Sequence, residues 1–221
     1  MGIEAIVLGI VSALRPATSQ AAVFALLRAP AASRNLAAYT VAGFVSSVLF
    51  GLIVLAVFDG AGGAFGRRDI TAAFDLLAGV AALGFAAGVQ RGGLSRRRNR
   101  QPGRATSAIA TRLSRPSMAT AAVAGVATHV PGLIYLVALN SIAADEPGPA
   151  DALVQVAVYN VLWFALPLGA LVLVLKSPAT ATAFLDRLTA WARRNQERLV
   201  VALFGALGLY LTIKGVVGLA S

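Results

Sequence analysis

The sequence predicts an all-α membrane protein with six transmembrane helices, arranged as two inverted three-helix repeats. Three observations predict this class: an apolar composition, six long apolar runs, and basic residues that cluster in alternate connections. Hydrophobic residues make up 58% of the 221 residues and charged residues 13%, whereas a soluble domain averages about 45–50% apolar and about 25% charged residues. No run alternates apolar and polar residues as a half-buried strand does. The composition therefore indicates helices that cross a bilayer.

Six runs are long and apolar enough to be spanning helices, which need about 20 mostly apolar residues to cross about 30 Å of hydrocarbon. The predicted spans are residues 2–27, 35–58, 70–89, 117–143, 150–175 and 199–219. Three glycines in the third run, Gly79, Gly84 and Gly88, favour close packing against neighbouring helices.

The basic residues of the connections predict the orientation. The first, third and fifth connections together hold fifteen Lys and Arg residues, whereas the second and fourth hold only Arg67 and Arg68. Cytoplasmic loops of membrane proteins carry the excess of Lys and Arg. We therefore expect a multi-pass protein of the cytoplasmic (inner) membrane, with both termini on the extracytoplasmic side.

The long third connection divides the chain into three predicted parts. Residues 1–90 form the first three-helix repeat, residues 91–115 form a basic cytoplasmic linker, and residues 116–221 form the second three-helix repeat. We expect the linker to lie against anionic lipid headgroups. Nucleic acid is not an expected partner, because no aromatic side chains alternate with the arginines of the linker.

An interfacial helix is predicted at about 182–198, within the second repeat. Phe184, Leu188 and Trp191 fall on one face of this segment at helical spacing, and its arginines lie off that face. Such a pattern is typical of a helix that lies in the cytoplasmic leaflet. The alternative is a cytoplasmic loop helix that packs under the bundle.

Two predicted spans contain a proline near mid-span. Pro16 follows Arg15 in "LGIVSALRPATSQAAVFALL", and Pro131 follows His129 by two residues in "VAGVATHVPGLIYLVALNS". A proline inside a helix removes a backbone hydrogen bond and clashes with the preceding turn. Interrupted spans at corresponding positions of two inverted halves indicate a transporter's binding site. We therefore expect helices 1 and 4 to be broken at Pro16 and Pro131 around a polar cavity.

The candidate ionisable residues inside the predicted spans are Glu4, Arg15, Asp75, His129 and Lys214. Arginine presents a planar charged fork that suits phosphate or carboxylate, so Arg15 is predicted to bind an anion; the alternative is an internal ion pair with Asp75 or Glu4. His129 is either a proton relay or a satisfied interior histidine. Asp75 is the other candidate for proton coupling.

The predicted substrate site combines these residues with nearby polar groups. Its members are Arg15, Pro16, Thr18, Ser19, His129, Pro131 and Lys214. The alternative for uncharged polar residues at this depth, among them Thr128, Asn140 and Asn160, is an interhelical hydrogen bond worth about 0.6 kcal/mol. The single histidine and the absence of cysteine exclude multi-histidine and thiolate metal sites, and we expect no metal and no cofactor.

The order of these motifs resembles a known family. The segments "SALRPATSQAAVFALLRAP", "YTVAGFVSSVLFGLIVLAV" and "HVPGLIYLVAL", with a basic loop before the last, are similar to the LysE transporter superfamily. Within it they resemble the actinobacterial GAP branch of peptidoglycolipid- and sulfolipid-addressing proteins. The resemblance implies a role in moving cell-envelope glycolipids, or their precursors, to the outer side. It also suggests a homodimer, and it excludes the thiol-electron carriers of the superfamily, which need paired cysteines.

The predicted function is flippase-like export of an anionic substrate, a cell-envelope glycolipid or lipid precursor. Basic side chains outnumber carboxylates near the two breaks, which favours an anion. One alternative is a non-transporting membrane scaffold that binds envelope-lipid synthesis or export machinery, and another is an exporter of a small amino-acid-like solute. An enzyme is not expected, since no paired carboxylates stand at helical spacing and no serine stands beside a base. Membrane lipids and the substrate are thus the expected partners.

Overall fold

The computed structural model describes residues 3–13, 18–65, 67–93, 116–145 and 147–220, and within these ranges the chain is helical, without a strand. The α-helices, in chain order, are α1 (Ile3–Ala13), α2 (Thr18–Leu27), α3 (Ala32–Phe65), α4 (Arg67–Gly88), α5 (Met118–Thr128), α6 (Leu133–Ala144), α7 (Pro149–Trp163), α8 (Ala165–Lys176) and α9 (Pro178–Ala220). A π-helical turn, Val89–Gly93, continues α4. The predicted all-helical class is confirmed.

Three helical segments are long and apolar enough to cross a membrane by themselves: Ala32–Val57, Thr71–Arg91 and Glu197–Ala220. Two more crossings result if the bent pairs α5–α6 and α7–α8 each count as one span. The described part of the chain therefore holds three to five candidate spans, as expected of a multi-pass membrane protein. Arg15 and Pro16 lie outside the described residues, so the break at Pro16 and the sixth span stay predictions.

Large apolar side chains cover the outside of the helix bundle. Leu77 is 71% exposed, and Ile53, Val123 and Leu175 are also largely exposed. A contiguous apolar surface of this kind is rare on soluble monomers, but it suits contact with lipid acyl chains. The exposed faces of α3, α4, α5 and α8 are therefore the surfaces that meet the bilayer.

Glycines allow α4 and α9 to approach closely. A Cβ atom added to Gly79 would lie 2.5 Å from the backbone nitrogen of Thr212, and one added to Gly215 would lie 2.5 Å from the backbone nitrogen of Leu76. Backbones that approach this closely are typical of membrane helix pairs with small residues at the interface. The sequence-based prediction for Gly79 is confirmed.

The same prediction is wrong for Gly84 and Gly88. A Cβ atom at either position would meet no atom within 4 Å. With 3.6 residues per turn, these glycines point about 140° and 180° away from Gly79 around the helix. They therefore lie on the outer surface rather than against α9.

A 65° bend separates α7 from α8. Pro167 accounts for it, because a proline ring clashes with the carbonyl group four residues earlier, here that of Trp163, and cannot donate a hydrogen bond to it. The chain resumes helical bonding at once, since the backbone N–H of Leu168 donates to the carbonyl oxygen of Phe164 at 2.9 Å. The bend brings Trp163 and Phe164 into the interior, where both are buried.

The segment at 182–198 is not a separate helix. It forms the first part of α9, which continues without a break for 43 residues. No proline or glycine occurs between Pro178 and Gly205, so nothing in the local sequence ends the helix before the last span. The position of this segment in the leaflet interface stays a prediction.

Candidate functional site

The break between α5 and α6 is the first part of the candidate site. The axes of the two helices differ by 69°, and residues 130–132 between them are not helical. Pro131 explains the break, because it has no N–H to donate and disfavours the helical conformation of Val130. Its partner in the prediction, Pro16, lies outside the described residues.

Side-chain hydrogen bonds connect this break with α3, and one of them satisfies a backbone carbonyl at the break. The Ser47 hydroxyl of α3 donates to the carbonyl oxygen of His129 at 3.5 Å. The Tyr135 hydroxyl of α6 donates to the carbonyl oxygen of Ser47 at 2.7 Å. Unpaired backbone groups are costly in a bilayer. These two bonds therefore tie both sides of the break to α3.

Aromatic rings enclose His129 at the end of α5. Its ring stacks on Phe164 with 4.0 Å between centroids, and its edge contacts involve Trp163 at 5.4 Å and Tyr39 at 5.5 Å. Nδ1 lies 3.0 Å from the carbonyl oxygen of Gly125. Because a carbonyl only accepts, Nδ1 carries the proton. His129 thus fits a packed and hydrogen-bonded interior histidine, and its role in a proton relay stays a prediction.

α3 and α5 meet closely beside this histidine. The carbonyl oxygen of Tyr39 touches Gly125, where a Cβ atom would not fit, and a Cβ atom on Gly43 would lie 2.9 Å from the carbonyl oxygen of Gly125. The Tyr39 hydroxyl forms a 2.7 Å hydrogen bond with Thr128. The predicted interhelical hydrogen bond of Thr128 is therefore present.

A second group of buried polar residues crosses the bundle interior. Ser12 of α1 and Tyr159 of α7 share a hydrogen bond of 2.6 Å. The Asn160 side chain is fully buried and donates to the Tyr135 hydroxyl at 3.1 Å. Its Oδ1 atom has no hydrogen-bond partner among the residues that the structure describes. Buried polar atoms are normally paired, so this oxygen is an acceptor that a hydroxyl group or a water molecule would satisfy.

A charged cluster forms the second part of the candidate site. The Lys214 ammonium lies 2.8 Å from Glu4 Oε2 and 3.0 Å from Asp75 Oδ2. Asn140 donates from Nδ2 to Asp75 Oδ1 at 2.9 Å, and the Tyr210 hydroxyl donates to Glu4 Oε2 at 3.2 Å. We call these five residues the ion cluster.

The charges of the ion cluster do not balance. Two carboxylates share one ammonium group, and the Asp75 and Glu4 side chains are only 2% and 12% exposed. Taking a charge out of water costs several kcal/mol unless partners compensate it. Lys214 supplies that compensation, so its ammonium is directed at the two carboxylates in this structure rather than at a substrate.

The structure separates the predicted site residues into two places. Asp75 and Lys214 meet in the ion cluster, whereas His129 and Pro131 lie at the α5–α6 break. Ser19 is half-buried in α2. Thr18 is the first residue of that helix, and its side chain is not among those that the structure describes. Pairing of Arg15 with a carboxylate stays a prediction, because Arg15 is also outside it.

The predicted site includes neither Tyr210 nor Trp163. Tyr210 bonds Glu4 in the ion cluster, and Trp163 has the packing role of an ordinary interior aromatic, here against His129. A signal for Tyr210 exists, since residues four apart lie on one helix face and Tyr210 precedes Lys214 by four. No comparable signal exists for Trp163, because a bend in α7–α8 brings it to the histidine.

An apolar cavity of about 420 Å³ lies between α3, α6 and α7. Its walls include Leu52 and Leu55 of α3, Ala143 of α6, and Ala152 and Leu153 of α7, and the described lining residues are all apolar. Its volume falls within the range of small-molecule sites, about 300–1,000 Å³. The chemistry of the walls suits hydrocarbon rather than a charged group.

One comparison with known proteins identifies the family. The family described as Sap, sulfolipid-1-addressing protein, matches residues 5–217. No curated protein and no solved structure matches the chain. The matched region includes the α5–α6 break, Asp75 and Lys214, and it confirms the resemblance to sulfolipid-addressing proteins that the motifs indicated. The chain therefore belongs to the Sap, sulfolipid-1-addressing protein family.

Proposed function

We propose that the protein exports an anionic cell-envelope glycolipid, or a precursor of one, across the cytoplasmic membrane. The observation that carries this proposal is a broken helix pair with buried polar side chains beside it, in a membrane chain of the sulfolipid-1-addressing protein family. A lipid of that kind combines an acidic head with apolar chains. The head requires a polar interior, and the chains require the apolar surface that the bundle presents.

We further propose six spans in two inverted repeats, with α1 and α2 together as the first span. The packing of the helices supports this arrangement, because helices that pack on each other still do so when each is replaced by its equivalent in the other half. The equivalent helices are α1 and α5, α2 and α6, α3 and α7, and α4 and α9. α3 packs on α5 as α7 packs on α1, and α4 packs on α6 as α9 packs on α2. α4 and α9 pack on each other, as equivalent helices near a two-fold axis do. The positive-inside rule then assigns both termini to the extracytoplasmic side.

In this proposal the acidic head binds between the two interrupted spans. Arg15, Pro16, Thr18 and Ser19 contribute from the first, and His129 and Pro131 from the fourth. Arg15 supplies the fixed positive charge, for which arginine is suited. Lys214 contributes only when the ion cluster opens, since two carboxylates hold it in the closed arrangement. Movement of one half against the other would expose the site to each side in turn.

Purified protein in liposomes tests the proposal. Fluorescent anionic lipids are placed in one leaflet, and their transfer is followed by a quencher confined to the outside. Arg15→Ala is expected to slow transfer at least about tenfold, because hydrogen bonds to a charged group contribute about 1.5–3 kcal/mol. Arg34→Ala, in an exposed position of α3, is the matched control and is expected to leave transfer unchanged.

The same experiment distinguishes export of a lipid from two other functions. Transfer that is equal in wild type and Arg15→Ala contradicts the proposed site. Absence of transfer for every anionic lipid favours the scaffold alternative, in which Arg15→Ala preserves partner binding and lipid export in cells. The packed and bonded state of His129 and Lys214 favours that alternative. Transfer of amino acids but not of lipids would show a small-solute exporter instead.

A further inference from the structure

The polar contacts among the described residues of the ion cluster join the two halves of the chain. Glu4 of α1 binds Lys214 and Tyr210 of α9, and Asp75 of α4 binds Lys214 of α9 and Asn140 of α6. The first half therefore holds both acids, and the second half holds the ammonium group and both neutral donors. A rearrangement of the halves at this end of the bundle must break these contacts.

The ion cluster is also built to accept a proton. Its described residues hold two largely buried carboxylates and one ammonium group, which together carry a net negative charge. Uptake of one proton makes the assembly neutral and removes the cost of the excess charge. Tyr210 and Asn140 contribute hydrogen-bond donors, and neither offsets the charge.

The two acids are not equally placed to take the proton. Both Glu4 oxygens accept from the Lys214 ammonium, at 3.1 and 2.8 Å, and Oε2 also accepts from Tyr210. Asp75 has one contact with the ammonium, through Oδ2, and one hydrogen bond from Asn140, through Oδ1, and it is the more buried acid. The charged form of Glu4 is therefore better compensated, and Asp75 is the acid that takes the proton.

We propose that the ion cluster is a proton-binding latch that closes the extracytoplasmic end of the bundle. A proton from the outer solution binds Oδ2 of Asp75 and ends its ion pair with Lys214. Lys214 then pairs with Glu4 alone, and one of the polar contacts that join the two halves is lost, so that this end opens. The latch rests on the proposed function for its orientation and for the transport step that it would couple to protons.

A single engineered cysteine tests the latch, because the chain has no natural cysteine. Ser12 is buried on α1, about 12 Å deeper than Glu4 along the helix. Ser12→Cys in liposomes is exposed to a membrane-impermeant thiol reagent from the side of the termini at neutral and at acidic pH. Ala150→Cys, in an exposed position of α7, corrects for the effect of pH on the reagent.

The expected corrected labelling rate of Ser12→Cys rises about fivefold or more on acidification, which is the low end of typical coupling between two states. Adding Asp75→Asn, which imitates the protonated acid, gives the high rate at both pH values. Asp151→Asn, a neutralised acid in an exposed position of α7, leaves the pH dependence unchanged. If Asp75→Asn does not yield monodisperse protein, Lys214→Gln replaces it with the same expected result.

The latch would be overturned if Ser12→Cys is labelled at the same rate at both pH values and if adding Asp75→Asn does not change that rate. The assay contains no substrate, so its outcome is independent of the lipid assay. Labelling as expected, without transfer of any lipid, supports the latch and rejects the proposed substrate. Lipid transfer with labelling that ignores pH rejects the latch and leaves the export proposal intact.

Discussion

The aromatic rings around His129 show how a polar side chain is accommodated at an interior helix break. One nitrogen bonds the carbonyl oxygen of Gly125, and Phe164 covers a face of the ring. The loss of that packing would leave a void of the size of the ring, whereas an aromatic replacement would keep it filled. The contribution of His129 to folding is therefore mainly a matter of volume.

In detergent, the unfolding temperature of His129→Phe is expected to lie only slightly below that of wild type, because the variant loses one hydrogen bond worth about 1 kcal/mol. His129→Ala is expected to lose about 3–5 kcal/mol, the usual cost of truncating a buried aromatic side chain. Thermal unfolding of both variants, followed by intrinsic fluorescence, gives the comparison. Equal losses in the two variants would show that the hydrogen bond, and not the packing, is what the site requires.

At the scale of the helix, backbone contact between α4 and α9 forms the central pair of the bundle. Gly79 and Gly215 face the partner backbone, so the approach depends on the missing side chains and not on charge. The ion cluster lies at one end of this pair, through Asp75 and Lys214. Gly215 and Gly218 extend this close packing beside and beyond Lys214, so opening of the latch must move the neighbouring helices rather than separate α4 from α9.

Gly79→Ala is expected to destabilise the protein by about 1–3 kcal/mol, because its methyl group would overlap the backbone of α9. Gly84→Ala is the matched control in the same helix, since a Cβ atom there meets open space, and it is expected to be neutral or slightly stabilising. Chemical unfolding in mild detergent measures both. Equal effects of the two substitutions would mean that α4 and α9 are not packed as described.

Hydropathy predicted the long helical segments well. Residues 35–58, 70–89 and 199–219 correspond to the three helices that are long and apolar enough to cross a membrane by themselves. Single residues were harder to assign. Gly79 and Gly84 look alike in sequence, and only the partner helix distinguishes them. The pairing of Glu4 with Lys214 joins residues at opposite ends of the chain, so no local pattern could have predicted it. Trp163 reaches His129 through a bend whose direction depends on tertiary packing.

At the scale of the whole molecule, the protein is a bundle with an apolar exterior and a largely apolar core that encloses a few buried polar residues. His129, beside the break at Pro131, is one of those buried residues, and the ion cluster links the two halves at the end that carries both described termini. Family membership connects this architecture with sulfolipids. The central claim is that an anionic lipid head binds inside the bundle, between the two interrupted spans.

A cryo-electron microscopy map of the protein in nanodiscs with an anionic glycolipid tests this claim most directly. We expect density for the lipid head between Pro16 and Pro131, within reach of Arg15, with the lipid chains extending to the apolar surface. An unbroken first helix, or lipid density confined to the outside of the bundle, would contradict it.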